Sequence, residues 1–184
     1  MRKKILAICG STRKTSANQR LIKAIVKLSS DTLEMKIFDG LSGIPHFNPD
    51  LDNNNPPENV LHFRRQLAEA DGILICTPEY AMGVPGTLKN AIDWTVSSME
   101  FSQKSVALIT ASTAGHKAHQ SLMETLKVIE ADIPDSSQLL ISHVQTKLED
   151  DKIIDATILK QVENVIASLV NTISTTKDPL SSSF

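Results

Sequence analysis

The chain has few cysteines, few aromatic residues and no long apolar run. It contains two cysteines, one tryptophan and one tyrosine in 184 residues. Two cysteines cannot build a disulfide framework of the secreted type, and their spacing is not that of zinc ligands. No apolar stretch approaches the ~20 residues that a membrane-spanning helix needs. We therefore expect reduced thiols, no bound metal and no membrane partner.

Positive charge is not in excess either. The 19 Lys and Arg residues are balanced by 21 Asp and Glu residues, so the formal net charge is −2. Binding to a nucleic-acid backbone needs a basic stripe, and nucleic acid is therefore not an expected partner. The basic start is followed by a short apolar run over residues 5–9 that ends at a glycine. We interpret it as a first strand rather than a signal peptide and expect a cytoplasmic protein.

Apolar patterning predicts the fold class. With 41% hydrophobic residues the chain can bury a core, and its length fits one domain. Short β-rich runs alternate with segments of helical period. The pattern predicts strands near 4–9, 33–38, 72–77, 104–110 and 138–143, and helices near 17–29, 57–70, 87–99, 116–131 and 151–174. These predict an α/β fold, a doubly wound parallel sheet covered on both faces. We expect one domain over 1–174 and a disordered tail over 175–184.

A polar loop follows the first predicted strand. It reads G-S-T-R-K-T-S-A-N over residues 10–18 and lies directly before a helix. With a single glycine it matches neither the dinucleotide fingerprint nor the P-loop. The loop offers several hydroxyl groups and the cation of Arg13. A Ser16–Gln19 capping box would start the helix at Ala17 and leave its first N–H groups without partners in the helix. This set of donors suits a phosphomonoester. Taken alone, the loop is also compatible with a turn that only caps the helix.

A second block follows the third predicted strand. It reads P-E-Y-A-M-G-V-P-G-T-L-K-N-A-I-D-W over residues 78–94. Its prolines stiffen the loop, and its glycines permit close backbone approach to a flat ligand. The two blocks are separated along the sequence by the expected second strand, long segment, second helix and third strand. With these blocks and this separation, the chain resembles the NADPH-dependent FMN reductase family, which includes quinone, chromate and azo-dye reductases of flavodoxin-like fold. The resemblance extends to about residue 174.

The resemblance implies a five-stranded parallel sheet of order 2-1-3-4-5 in three layers. It implies FMN as the bound cofactor and NADPH or NADH as the co-substrate. Hydride would pass from NAD(P)H to the flavin and on to quinones or similar small acceptors, such as chromate, azo compounds or free flavin. The flavin carries this chemistry, so no catalytic side chain is expected. A homodimer or homotetramer is implied as well.

The resemblance also assigns cofactor-binding residues to three loops. Those expected at the phosphate are Ser11, Arg13, Ser16, Ala17 and Asn18. Those expected beside the isoalloxazine ring are Pro78, Glu79, Tyr80, Ala81 and Met82. In the third loop the residues expected to donate to the pyrimidine edge are Ser112, Thr113 and Gly115, with Lys117 as a candidate cation.

Two departures from the family pattern bear on substrate preference. The family usually reads P-E-Y-N-x-S-V-P-G, whereas this chain has Ala81 and Gly83 at the two polar positions. Two hydrogen-bonding side chains are therefore lost beside the expected ring. In the third loop, Lys117 and His119 stand where the family has an Arg-Ala-Gln helix start.

There are two other candidate functions. The alternative is a flavodoxin-type FMN electron carrier without enzymatic activity, although such carriers are usually strongly acidic. A cysteine phosphatase is rejected, because its loop needs five residues between the cysteine and the arginine and only Gly10, Ser11 and Thr12 separate Cys9 from Arg13.

Other chemistry-bearing residues have structural explanations. Cys9 and Cys76 are expected to be core residues, with a redox pair as the alternative. His116 and His119 lack a third ligand and are expected at the surface. Asp50, Asp52 and Asn53 are expected in a solvated turn, because a calcium loop needs a glycine at its sixth position and a glutamate at its twelfth.

For two features, the sequence is compatible both with a role within the domain and with a role in a subunit contact. Trp94 either packs within the domain or anchors a subunit contact, and the resemblance favours the contact. The segment 40–57 is too long for an ordinary connection, so it is either a functional flap or a subunit contact.

Overall fold

The structure is a computed structural model that describes residues 2–176. Five parallel strands form one sheet in the order β2-β1-β3-β4-β5. Their bounds are β1 Lys3–Cys9, β2 Leu33–Phe38, β3 Gly72–Thr77, β4 Ser105–Ser112 and β5 Gln138–Ser142. A separate antiparallel hairpin joins β6, Leu148–Glu149, to β7, Lys152–Ile153. The predicted fold class and strand order are confirmed.

Five α-helices cover the sheet in three layers. Their bounds are α1 Ala17–Leu28, α2 Glu58–Glu69, α3 Gly86–Asp93, α4 His116–Val128 and α5 Ala156–Thr176. The buried side chains of α1 and α5 share one apolar cluster, and those of α2, α3 and α4 share another on the opposite face of the sheet. Within the described residues, no helix combines the length and the apolar character needed to cross a membrane.

Strand β3 shows why the sheet reads as continuous apolar runs. All of its residues are buried, and they alternate between the two clusters, with Ile73 and Ile75 on one face and Leu74 and Cys76 on the other. A strand covered by helices on both faces has no solvent side. The absence of polar alternation in the sequence therefore reflects a central position in the sheet.

Helix α3 is shorter than the sequence predicts. It ends at Asp93, whereas the apolar period continues to Met99. The hydroxyl of Thr95 donates to the carbonyl oxygen of Ile92 at 2.7 Å, and Met99 is left-handed with φ 62°. A hydroxyl that bonds the backbone locally competes with helix continuation, so the segment after Asp93 forms turns.

Helix α5 begins later than predicted, at Ala156 rather than residue 151. The carboxylate of Asp155 accepts from the N–H groups of Thr157 and Ile158 at 3.0 and 3.1 Å, and such a cap starts a helix. Residues 151–153 belong instead to the hairpin. At its other end the helix includes two residues assigned to the predicted tail, and the rest of that tail, 177–184, lies outside the described residues.

The long segment 40–57 is fastened to α3. Asn90 accepts from the N–H of Phe47 at 2.8 Å, and its amide donates to the Pro45 carbonyl at 2.9 Å. Trp94 is fully buried; its indole N–H donates to the same carbonyl at 2.8 Å, and its ring meets Phe47 edge-on at 5.1 Å. Trp94 is thus a core residue, and the preferred interpretation of it as a subunit anchor is wrong.

A largely buried ion pair fixes the end of the same segment. Asp52 accepts from Arg64 at 2.7 Å and from the Ser97 hydroxyl at 2.6 Å, and Arg64 also donates to the Trp94 carbonyl. Desolvation raises the pKa of Asp52, but the hydrogen bonds from Ser97 and Arg64 outweigh it, so the pKa is lowered. The carboxylate side chain is only 9% exposed. The predicted solvated turn is therefore wrong at Asp52.

Replacing Arg64 by leucine should lower the free energy of unfolding by about 3 kcal/mol, because it leaves a buried carboxylate without its cation. Arg65→Leu is the matched control on the same helix, since Arg65 reaches Glu58 at 3.7 Å across an exposed surface and should cost under about 0.5 kcal/mol. Urea unfolding at pH 7 measures both. Equal losses in the two variants would contradict a special role for the Asp52–Arg64 pair.

Candidate functional site

Four loops meet at the carboxyl edge of the sheet and enclose a cavity of about 330 Å³. Loop 1 (residues 10–16) follows β1, loop 2 (78–85) follows β3, loop 3 (113–115) follows β4, and loop 4 (143–147) follows β5. Ligands of open α/β sheets bind at this edge. The residues lining the cavity are Ser11, Arg13, Ser16, Ala17, Asn18, Pro78, Glu79, Tyr80, Ala111, Ser112, Thr113, His143, Val144, Gln145 and Thr146.

Most of the predicted site residues line this cavity. All five from loop 1 and the start of α1 do so, as do Pro78, Glu79, Tyr80, Ser112 and Thr113. The predicted site residues absent from the lining are Ala81, Met82 and Gly115, and the candidate cation Lys117 is absent from it as well. Sequence reasoning missed Ala111 and the whole contribution of loop 4.

Loop 1 leaves β1 through a glycine that cannot carry a side chain. The N–H of Gly10 donates to the Cys76 carbonyl at 2.8 Å, which holds the start of the loop against the end of β3. A Cβ at this position would lie 2.4 Å from the Thr77 hydroxyl oxygen. The glycine is thus required by a close approach between neighbouring strands.

The end of loop 1 caps α1. The hydroxyl of Ser16 accepts from the Gln19 N–H at 3.1 Å, so the predicted cap and the start of the helix at Ala17 are confirmed. The N–H of Ser16 donates to the Arg13 carbonyl at 3.0 Å, in place of the contact with the Gln19 side chain that completes a capping box. By their position, the N–H groups of Ala17 and Asn18 have no partner within the helix.

The side chain of Asn18 holds the floor of the cavity. Its amide N–H donates to the Ala111 carbonyl at 2.8 Å, and its amide oxygen accepts from the Cys76 thiol at 3.3 Å. The residue is only 3% exposed. Its side chain therefore connects α1 to β3 and β4.

Arg13 supplies positive charge at the cavity. It is exposed, and its guanidinium makes no ion pair or hydrogen bond within the part of the chain that the structure describes. Its backbone N–H contacts the hydroxyl of the buried Ser11 at 3.4 Å, and that hydroxyl lies 3.3 Å from the Tyr80 hydroxyl. Loops 1 and 2 are thereby joined on one side of the cavity.

The tip of loop 2 is a tight two-residue turn. Tyr80 and Gly83 exchange backbone hydrogen bonds at 2.8 and 3.0 Å, and the residues between them, Ala81 and Met82, are left-handed with φ 49° and 63°. This geometry usually takes asparagine or glycine, and the family has asparagine at position 81. Met82 is 76% exposed and lies outside the cavity lining.

Glu79 joins loop 2 to the start of α4. Its carboxylate accepts from the N–H of Ala118 at 2.9 Å, where the helix N-terminus favours negative charge. The bend before α4 depends on Gly115, which has φ 94° and whose added Cβ would lie 2.8 Å from the Leu140 side chain. The Glu79 carboxylate thus pairs with one of the backbone N–H groups at the N-terminus of α4.

His119 lies behind loop 3 rather than at the surface. It is half-buried, and its Nδ1 lies 2.9 Å from the Thr110 hydroxyl. Burial lowers the pKa of His119, a hydrogen bond with Gln138 raises it in part, and nearby His116 lowers it further. The predicted surface position holds for His116 and is wrong for His119.

Loop 4 brings a further histidine to the cavity. His143 is left-handed with φ 52°, and its N–H donates to the Thr113 carbonyl at 3.4 Å. The Thr146 hydroxyl donates to the His143 carbonyl at 3.0 Å. The sequence signal for this loop is its place after a fifth parallel strand, because the ends of such strands share one edge of the sheet.

The two cysteines lie side by side beneath the cavity. Cys9 and Cys76 are register partners on adjacent strands, and both are buried free thiols. Adjacent strands are ~4.8 Å apart, so distance alone does not exclude a bridge. Burial raises the pKa of both thiols, which disfavours the reactive thiolate. Their surroundings are those of core residues.

Comparisons with known proteins agree with this geometry. The family model described as NADPH-dependent FMN reductase matches residues 3–146. An NAD(P)H-dependent FMN reductase of Pseudomonas aeruginosa is 34% identical over 160 residues, which cover 81% of this chain and 86% of that protein. A quinone reductase of Pseudomonas putida is 34% identical over 131 residues, with coverages of 65% and 69%. The flavoenzyme NAD(P)H:acceptor oxidoreductase FerB of Paracoccus denitrificans superposes with a TM-score of 0.82 at 27% identity, covering 94% of this chain and 98% of that one.

The lowered pKa of His119 predicts a loss of stability in acid. The unfolded chain binds a proton near the ordinary histidine pKa of about 6.5, whereas the folded protein resists it. Stability is therefore complete above pH 6.5 and falls as the pH drops from there through the folded pKa. In His119→Gln, the free energy of unfolding should depend less on pH between 7.5 and 5, as measured in urea. The exposed His46→Gln variant, on the 40–57 segment, should retain the wild-type slope, and identical slopes in all three proteins would contradict the assignment.

Proposed function

The chain belongs to the NADPH-dependent FMN reductase family, and on that premise we propose that the four-loop cavity holds FMN with its phosphate at loop 1 and α1. The protein is an NAD(P)H-dependent oxidoreductase with FMN as cofactor and small molecules as acceptors. The proposal concerns which of its residues hold the cofactor and which acceptors it reduces.

The donor set at loop 1 fits a phosphomonoester. The Ser11 and Ser16 hydroxyls, the N–H groups of Ala17 and Asn18, and the Arg13 guanidinium line one end of the cavity. A terminal phosphate is dianionic and has three acceptor oxygens, so it suits a cation combined with a helix N-terminus. The unpaired guanidinium of Arg13 is the observation that carries this assignment.

The other end of the cavity suits a flat ring. Pro78, Glu79 and Tyr80 form one wall, and Ser112 and Thr113 form another. Glu79 holds the two walls together through the Ala118 N–H. A cavity of about 330 Å³ lies within the usual range for small-molecule sites.

When bound, FMN supplies the redox chemistry, by taking hydride from NAD(P)H and passing electrons to the second substrate. The residues of the chain hold and orient the cofactor and its partners. We propose no side chain as a general acid or base.

Quinones are the proposed acceptor class, because relatives from several organisms are quinone reductases. Chromate, azo compounds and free flavin are further candidates. FerB is an NAD(P)H:acceptor oxidoreductase. The likeness of this chain to FerB favours an enzyme over a flavodoxin-type electron carrier.

Assembly and location are also proposed. We propose a homodimer or homotetramer formed through the face where the 40–57 segment meets the end of α3, because Phe47, Leu51, Val96 and Met99 expose apolar side chains there. Sedimentation at micromolar concentration tests this. We further propose a cytoplasmic location, supported by the two free thiols and by the dependence on NAD(P)H.

Purified protein loaded with FMN should oxidise NADPH or NADH when a benzoquinone is added, without any partner protein. The decrease in absorbance at 340 nm measures the reaction. An electron carrier would instead show negligible turnover until a separate reductase is supplied, and that outcome would contradict the enzymatic proposal.

The variant Arg13→Ala should weaken FMN binding by about 10- to 100-fold, because a charge-assisted contact is worth about 1.5–3 kcal/mol. Riboflavin, which lacks the phosphate, should bind equally to the variant and the wild type. Turnover at saturating FMN should change little. Lys14→Ala is the control, since Lys14 is an exposed neighbour that does not line the cavity. Unchanged FMN affinity in Arg13→Ala would place the phosphate elsewhere.

A further inference from the structure

We propose that His143 on loop 4 is a further cofactor-binding residue, which contacts the phosphate end of the flavin. The inference rests on the proposed binding of FMN in the four-loop cavity. It adds a fourth loop to the three that the family pattern assigns to the site.

The position of loop 4 in the fold indicates that His143 lies near the phosphate end of the cavity. Loops 2 and 3 lead into α3 and α4, which cover one face of the sheet, whereas loop 4 leads through the β6–β7 hairpin to α5 on the face that carries α1. The hairpin packs directly on α1, and its Leu148 and Ile153 share an apolar cluster with Leu21. Loop 4 therefore borders the cavity between loop 3, where the His143 N–H donates to the Thr113 carbonyl, and α1, where the phosphate donors lie.

The backbone of loop 4 is held by hydrogen bonds, whereas the His143 imidazole has no hydrogen-bond partner among the residues that the structure describes. The His143 N–H donates to the Thr113 carbonyl, its carbonyl accepts from the Thr146 N–H and hydroxyl at 3.0 Å, and Val144 beside it is buried. His143 is exposed and lines the cavity. Its left-handed backbone, with φ 52°, is uncommon for a residue other than glycine.

The neighbouring charges leave His143 available to an anion. The other charged or titratable side chains in the lining are Arg13, Glu79 and Tyr80, and Glu79 already accepts from the Ala118 N–H. In the adjoining chain, Lys147 pairs with Asp155 at 2.6 Å and Asp151 lies 3.9 Å from Lys23. The other ionic residues of the hairpin, Glu149, Asp150 and Lys152, are exposed. An imidazole donates an N–H in its neutral and its protonated form, so the contact does not depend on one charge state.

The test compares FMN with riboflavin. Full-length protein freed of flavin is titrated with each at pH 7.5, and binding is followed by quenching of flavin fluorescence. The variant His143→Asn keeps a residue that tolerates the left-handed conformation and shortens the side chain. We expect it to weaken FMN binding about three- to tenfold, the range for one hydrogen bond, and to leave riboflavin binding unchanged. His143→Lys, which restores a donor, should recover most of the FMN affinity.

The outcomes separate this proposal from the wider one. The control His116→Asn alters an exposed histidine outside the cavity lining and should bind both flavins as the wild type does. If His143→Asn keeps full FMN affinity, or loses FMN and riboflavin affinity equally, the phosphate contact is wrong while FMN binding stands. If the wild type binds FMN no better than riboflavin, the phosphate site at loop 1 itself is wrong.

Discussion

The buried side-chain amide of Asn18 is the contact on which the geometry of the site depends. It joins the first turn of α1 to the ends of β3 and β4 through the Ala111 carbonyl and the Cys76 thiol. A buried amide that lost either partner would bear a desolvation cost, so the three elements keep a fixed distance. Asn18 therefore holds the first turn of α1 against the ends of the two strands from which loops 2 and 3 start.

The sheet could be predicted from the sequence because its central strands are buried on both faces and read as unbroken apolar runs. The first three loops could be predicted because each lies between such a strand and a helix and carries a polar or proline-rich block. The ends of the helices could be predicted less well from the sequence. The end of α3 depends on a local hydroxyl contact of Thr95, and the start of α5 depends on the Asp155 cap. Neither contact changes the period of the apolar residues.

Residues whose role depends on distant partners could not be assigned from the sequence. The burial of Trp94 requires Pro45 and Phe47, and the pairing of Asp52 requires Arg64 and Ser97. The part of the cavity formed by loop 4 carries no recognisable block of residues. It follows only from the strand order, which places the end of β5 next to that of β4.

The contact between Gly10 and Thr77 has a consequence for how this sequence can vary. No side chain fits at position 10 while a hydroxyl-bearing β-branched residue stands at position 77, because the two would overlap. A substitution at position 10 therefore becomes tolerable only after position 77 has become glycine, because the Cβ of residue 77 itself lies 2.9 Å from an added Cβ, and the order of the two changes matters. Among related sequences the two positions should covary, although they lie 67 positions apart in the chain and neither lines the cavity.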